Sequence, residues 1–151
     1  MSYIIDILSN KILQTALISW AVAQLIKAII TLIKYRRFDF TRLFGSGGMP
    51  SSHSAFTVSL AVAVGLNTGF NSCEFAITAA FAIVVMYDAT GVRRSAGEQA
   101  KILNRIVESL GQKNISQTGK RLKELLGHTP IEVFAGAILG IIIAIVYNIY
   151  I

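Results

Sequence analysis

Four apolar runs separated by polar or glycine-rich segments set the pattern of this chain. The first occupies 12–33 and follows a mixed stretch that includes Asp6 and Lys11. Within it Gln24, Lys27, Thr31 and Lys34 recur at spacings of three, four and three, so they share one helical face turned toward a bundle interior. The second run, 55–70, has room to start at Ser51 and closes at the turn signals Asn67-Thr68-Gly69 and Asn71-Ser72. The third covers 75–87 and ends in Asp88-Ala89-Thr90-Gly91-Val92-Arg93-Arg94. The fourth, 131–151, is almost wholly apolar. Runs of this length predict membrane spans at 12–34, 51–70, 74–92 and 130–151. The fold class is therefore all-α: a polytopic membrane helical bundle in a single domain, 1–151. The two middle spans are short, which calls for extension into polar flanks or a locally thinned bilayer.

Between the third and fourth spans, Ser95-Ala96-Gly97-Glu98 has capping-box spacing. Ile102, Leu103, Ile106, Val107 and Leu110 then recur with helical period. This predicts an amphipathic helix over 96–110, on the membrane surface or against the bundle. A short basic helix is expected around 117–126, with Gly127 as its C-cap. In His128-Thr129-Pro130-Ile131-Glu132, Thr129 reads as an N-cap, Pro130 as the first helical residue and Glu132 as the third member of a capping box. Gly136 and Gly140 form a small-xxx-small face for close helix packing.

Composition narrows the class. Hydrophobic residues make up 54% of the chain and its mean hydropathy is +0.61, which excludes an ordinary soluble domain. The net charge of +6 belongs to a membrane protein's orienting and headgroup-facing residues, and no nucleic acid partner is expected. Cys73 is the single cysteine, so there is no internal disulfide and no metal-ligand cluster. No metal or cofactor is expected. The first apolar run continues past residue 30, unlike a cleavable leader, so it is expected to stay as a membrane helix.

Four alternating spans bring the end of the first, the start of the second, the end of the third and the start of the fourth to one side. Lys34, the 45–54 loop with His53, Asp88 with Arg93 and Arg94, and His128 with Glu132 all fall there. Of 14 lysines and arginines, only Lys11 lies in the outer segments and Lys27 inside a span. The positive-inside rule places the shared side in the cytoplasm and both termini outside, in a multi-pass protein of the bacterial plasma membrane.

The stretch Gly45-Ser46-Gly47-Gly48-Met49-Pro50-Ser51-Ser52-His53-Ser54 is suited to cradle a phosphate: glycines permit close backbone approach, serines cap a helix, and helix-start amides attract anions. Two histidines and several cations on one face suit phosphoryl transfer. A neutral imidazole attacks phosphorus, a second protonates the leaving oxygen, and Lys or Arg hold the equatorial oxygens. The plainer alternatives stay open. Both histidines adjoin helix starts, where polar residues serve as caps, and Lys27 can snorkel toward headgroups.

Three motifs carry a resemblance: Gly48-Met49-Pro50-Ser51-Ser52-His53-Ser54-Ala55, Tyr87-Asp88-Ala89-Thr90-Gly91-Val92-Arg93-Arg94 and Gly127-His128-Thr129-Pro130-Ile131-Glu132-Val133. Together they resemble the divergent bacterial and plant branch of the type 2 phosphatidic acid phosphatase superfamily, which also includes vanadium-dependent haloperoxidases. The similarity covers nearly the whole chain. It implies that Pro50, Ser51 and His53 match a Pro-Ser-Gly-His motif that binds phosphate and supplies an acid, with Ser52 in place of glycine. It implies that His128 matches the nucleophile of a Ser-Arg-x5-His-x3-Asp motif, with Glu132 in place of the orienting aspartate. The Ser-Arg pair has no match at its spacing, where Arg121-Leu122 stand; Arg93, Arg94 or a shifted Arg121 would take that role. The Lys-x6-Arg-Pro motif is also absent, although Lys27 and Lys34 keep its spacing.

The expected function is a lipid phosphate or pyrophosphate phosphatase acting through a phosphohistidine at His128, with His53 as acid and Glu132 as orienter. Lys27, Lys34, Ser51, Ser52, Arg93 and Arg94 are the expected phosphate ligands and Asp88 a further candidate. The bilayer and a lipid phosphate are the expected partners, with a homo-oligomer compatible. Two rivals remain: a non-catalytic membrane protein that binds anionic headgroups or a protein through the same face, and a small transport subunit with Lys27 and Asp88 on its pathway.

Overall fold

A computed structural model of the chain describes residues 2–36, 48–109, 122 and 127–150. The 45–47 part of the glycine-rich loop, Arg121 and all but residue 122 of the expected 117–126 helix lie outside them. Among the described residues six helices follow one another: α1 (Ser2–Leu8), α2 (Lys11–Tyr35), α3 (Ser52–Thr68), α4 (Cys73–Thr90), α5 (Val92–Ser109) and α6 (Pro130–Tyr150). No strand occurs among these residues, and the architecture is an all-α membrane bundle. The short α1 lies in the stretch where no element was expected.

Local chemistry sets the ends. The Asn10 side chain caps α2 by accepting from the Leu13 amide at 3.0 Å, and Ser51 and Ser72 cap α3 and α4 in the same way. α3 stops at Gly69, whose φ of 94° few other residues adopt. α4 stops at Gly91 (φ −104°, ψ −85°), one residue before α5 begins. The amphipathic helix thus starts at Val92 rather than 96. The capping box expected at Ser95 does not form, because the Ser95 amide already donates to the Gly91 carbonyl at 2.9 Å inside the first turn. Glu98 turns to Arg94 instead.

α3 is the hub. It packs on α6, α2 and α4, and α6 also contacts α2. Small residues make the approach close. A Cβ at Gly140 would lie 2.6 Å from the Ala55 carbonyl oxygen, and one at Gly136 would overlap the Ser51 carbonyl. The face expected from Gly136 and Gly140 therefore packs within the chain, against α3. Ser19 of α2 donates to the Ala55 carbonyl at 3.0 Å. Thr57 returns its hydroxyl to the His53 carbonyl, which satisfies a buried donor without water.

At the other end of the bundle the Tyr147 hydroxyl donates to Gln14 at 2.6 Å, and the Asn67 amide donates to Asn148 at 3.3 Å. These bonds fix the start of α2, the end of α3 and the end of α6 together. The opposite ends of those helices, and the end of α4, consequently meet on the other side. Three helices are long and apolar enough to cross a membrane: α2, α4 with its continuation, and α6. α3, with 17 residues, spans about 25 Å and falls short of an average hydrocarbon core.

Candidate functional site

The site begins where α3 begins. Gly48, at φ 91°, admits the stem of Lys27: a Cβ there would sit 3.5 Å from Lys27 Cγ and Cε. Three residues on, the Ser51 amide donates to the Glu132 carbonyl at 2.9 Å, which staples the start of α3 to the first turn of α6. The Ser51 hydroxyl accepts from the Ser54 amide at 3.4 Å and from the Ser54 hydroxyl at 2.9 Å. Its acceptor positions are thus taken by capping, and its O–H stays a donor. Ser52 is buried beside it, and His53 is exposed on the next position. First-turn amides of a helix lack intrahelical acceptors, so this start presents donors toward an anion.

The second half comes from the segment before α6. Gly127 lies against the α4–α5 junction, where a Cβ would meet the Arg94 amide nitrogen at 2.6 Å and the Ala89 carbonyl oxygen at 2.8 Å. Only glycine fits there. Its role is this close approach, a constraint that its reading as a C-cap had not anticipated. The next amide, of His128, donates to the Ala89 carbonyl at 3.1 Å. The capping box of α6 forms as its spacing predicts: the Thr129 amide donates to Glu132 Oε2 at 2.9 Å and the Glu132 amide to Thr129 Oγ1 at 3.4 Å.

His128 is 4% exposed, and its Nε2 is buried with no hydrogen-bond partner among the described residues. An orphaned imidazole nitrogen of this kind is costly unless a ligand meets it. Burial first, and then the Lys27 cation, hold His128 below its ordinary value of 6.5, against the opposing pull of Glu132; His53 and Arg93 push the same way as Lys27. The imidazole is therefore neutral at pH 7, the form with a lone pair to give. These interactions also map the neighbourhood. Lys27, His53, Arg93 and Glu132 all act on His128, and Lys27 and Arg93 both act on His53.

Lys27 itself is 3% exposed, deep in α2, with no ion pair to a described residue. Three members of the polar stripe of α2 face inward as its spacing predicted, for Lys27 is buried and Gln24 and Thr31 are half-buried. Gln24 adds a feature that the sequence did not assign to the site: its Oε1, one turn before Lys27, is buried with no partner among the described residues. Its membership of the stripe was the signal available.

Not every expected ligand joins. Arg93 pairs with Asp88 at 2.6 Å while acting on both histidines, so Asp88 holds a cation at the rim. Arg94 turns outward to Glu98 at 3.4 Å. The Lys34 side chain lies outside the described residues; its backbone is seven residues beyond Lys27, about 10 Å further along α2. Glu132 spends a carboxylate oxygen on the Thr129 amide, so its action on His128 is through charge. Among the described residues no three His, Cys, Asp or Glu side chains gather as a metal-binding group.

With this geometry in view, two comparisons bear on the chain. The family model described as "Divergent PAP2 family" matches residues 8–143. The uncharacterized membrane protein YuiD of Bacillus subtilis (strain 168) is 42% identical over 151 residues, covering 93% of this chain and 96% of that protein. No solved structure matches.

Proposed function

The chain belongs to the divergent PAP2 family, and on that premise we propose that it hydrolyses a phosphomonoester or pyrophosphate on a membrane lipid through a phosphohistidine. The observation that carries this reading is the buried, partnerless Nε2 of a neutral His128 beside the buried Lys27 cation. In the proposed reaction Nε2 attacks phosphorus and the bond to the lipid oxygen breaks. His53 gives that oxygen its proton, and water then cleaves the phosphohistidine, returning the proton to His53. Lys27 and the α3 start hold the equatorial oxygens, and Arg93 adds charge from the rim. The basic residues on this side support a cytoplasmic site.

A second reading has its own support. Arg93 and Arg94 are paired with carboxylates and Glu132 is engaged as a cap, an arrangement that suits a headgroup-binding protein without turnover. One experiment separates the two. Protein purified in detergent is offered phosphatidic acid, phosphatidylglycerophosphate and prenyl pyrophosphates, and phosphate release is measured for wild type, His53→Ala and His128→Ala. Hydrolysis predicts release that His128→Ala abolishes and His53→Ala lowers by roughly 10²–10⁴-fold. Release unchanged in both variants refutes the mechanism. Headgroup binding that survives His128→Ala, with no release from any lipid, establishes the second reading.

A further inference from the structure

We propose that α5 is an interfacial helix that binds an anionic bilayer surface, independently of any reaction at His128. Successive residues of a helix are turned by about 100°, which divides α5 into three arcs. Val92, Ala96, Leu103, Ile106 and Ile102 fall on one arc, with Ser95 and Gln99 between them. Arg94, Lys101 and Arg105 fall on the opposite one, together with Glu98. Gly97 and Asn104, the buried residues of the helix, occupy the flank between them.

That flank is held by protein. The Asn104 side-chain amide donates to the Leu122 carbonyl at 3.0 Å, and its oxygen accepts from the Leu122 amide at 3.1 Å. Among the described residues nothing covers the apolar arc: Ile102 is 57% exposed, Leu103 49%, Ile106 48% and Val92 61%. Large aliphatic side chains grouped in this way need an apolar partner.

Three observations identify that partner as a lipid surface. α5 begins one residue after α4, a helix apolar enough to cross the membrane, so its first turn stands at the bilayer edge. Arg93, Arg94, Lys101 and Arg105 outnumber Glu98 and Glu108 on this helix, which complements anionic headgroups. The large exposed side chains at 102, 103 and 106 cover barely two turns, too short for the three or four heptads of a coiled coil with a second copy. The docked helix would brace the catalytic segment as well, since its first turn abuts Gly127 and Asn104 grips residue 122.

The test uses the full chain in nanodiscs. Cys73 is exposed and is replaced by alanine; Ile106→Cys then carries an environment-sensitive fluorophore, with Lys101→Cys as the outward control. Discs of phosphatidylcholine alone are compared with discs that also contain phosphatidylglycerol. The label at 106 is expected to be quenched by nitroxide-bearing lipid and protected from aqueous iodide. Lipid quenching should rise roughly two-fold or more with anionic lipid, and Lys101→Gln with Arg105→Gln should remove that rise. Iodide quenching at 106 equal to that at 101 overturns the proposal. So does protection from both quenchers, which burial against protein gives, or a signal that tracks the number of chains per disc. Lipid quenching indifferent to anionic lipid overturns the headgroup preference.

Discussion

Replacing Gly140 with alanine tests the close α3–α6 seam directly. The added carbon would stand 2.6 Å from the Ala55 carbonyl oxygen and 3.0 Å from the Ser59 amide nitrogen, where ordinary contact starts near 3.4 Å. α6 must retreat by about 0.8 Å at that level, against backbone that cannot rotate away as a side-chain tip would. Overpacking of this kind costs roughly 1–3 kcal/mol. The intrinsic preference of a helix for alanine over glycine returns about 1 kcal/mol. The expected net loss is therefore about 0–2 kcal/mol, where glycine to alanine within a helix usually gains about 1 kcal/mol. Gly136→Ala should cost at least as much, because its carbon would overlap the Ser51 carbonyl and push on the residue that staples α3 to Glu132. The assay is reversible unfolding in mixed detergent micelles, followed by the fluorescence of Trp20, the single tryptophan. Ile142→Ala, on the exposed side of α6, is the control and should change stability by less than about 0.5 kcal/mol. A Gly140→Ala protein more stable than wild type by the full ~1 kcal/mol of alanine's helix preference refutes the packing argument.

Other consequences are equally measurable. Because His128 titrates below its ordinary 6.5 in the folded chain, the unfolded chain takes up its proton first as pH falls; stability is fully present above about 6.5 and declines as pH drops toward the folded value. Histidine-labelled NMR spectra should show one imidazole neutral below pH 6.5, and His128→Gln should flatten the pH dependence of unfolding across that window. Asn104→Leu removes both bonds to Leu122, so hydrogen exchange of the His128 amide, now bonded to Ala89, should accelerate while the Ser54 amide is unaffected. An unchanged rate at His128 would show that α5 does not brace this segment. Asp88→Asn breaks an ion pair whose members are about half and a third exposed, and should cost less than about 1 kcal/mol in thermal unfolding.

The sequence by itself determined the four long apolar helices, the alternation that collects the polar groups at one end, and the family. It did so because these are local or counting properties: apolar run length, glycine and asparagine turns, the Thr129–Glu132 capping box, the inward stripe of α2 and the matched motifs around His53 and His128. Its misreading of the start of α5 has the same origin. Ser95 and Glu98 satisfy the spacing of a cap, but the chain had already resumed its helix after Gly91, and spacing cannot tell which competing bond the amide takes. For Gly127 the sequence offers only a helix end, a reading whose helix lies outside the described residues, while its need for glycine comes from Ala89 and Arg94, residues more than thirty positions earlier. Tertiary structure alone decided that α3 is the hub, that Gly136 and Gly140 face it, and that Arg94 turns away while Lys27 turns in. It alone left Nε2 of His128 buried without a partner among the described residues, because burial and hydrogen-bond satisfaction depend on which distant atoms surround a group, and no periodicity along the chain carries that information.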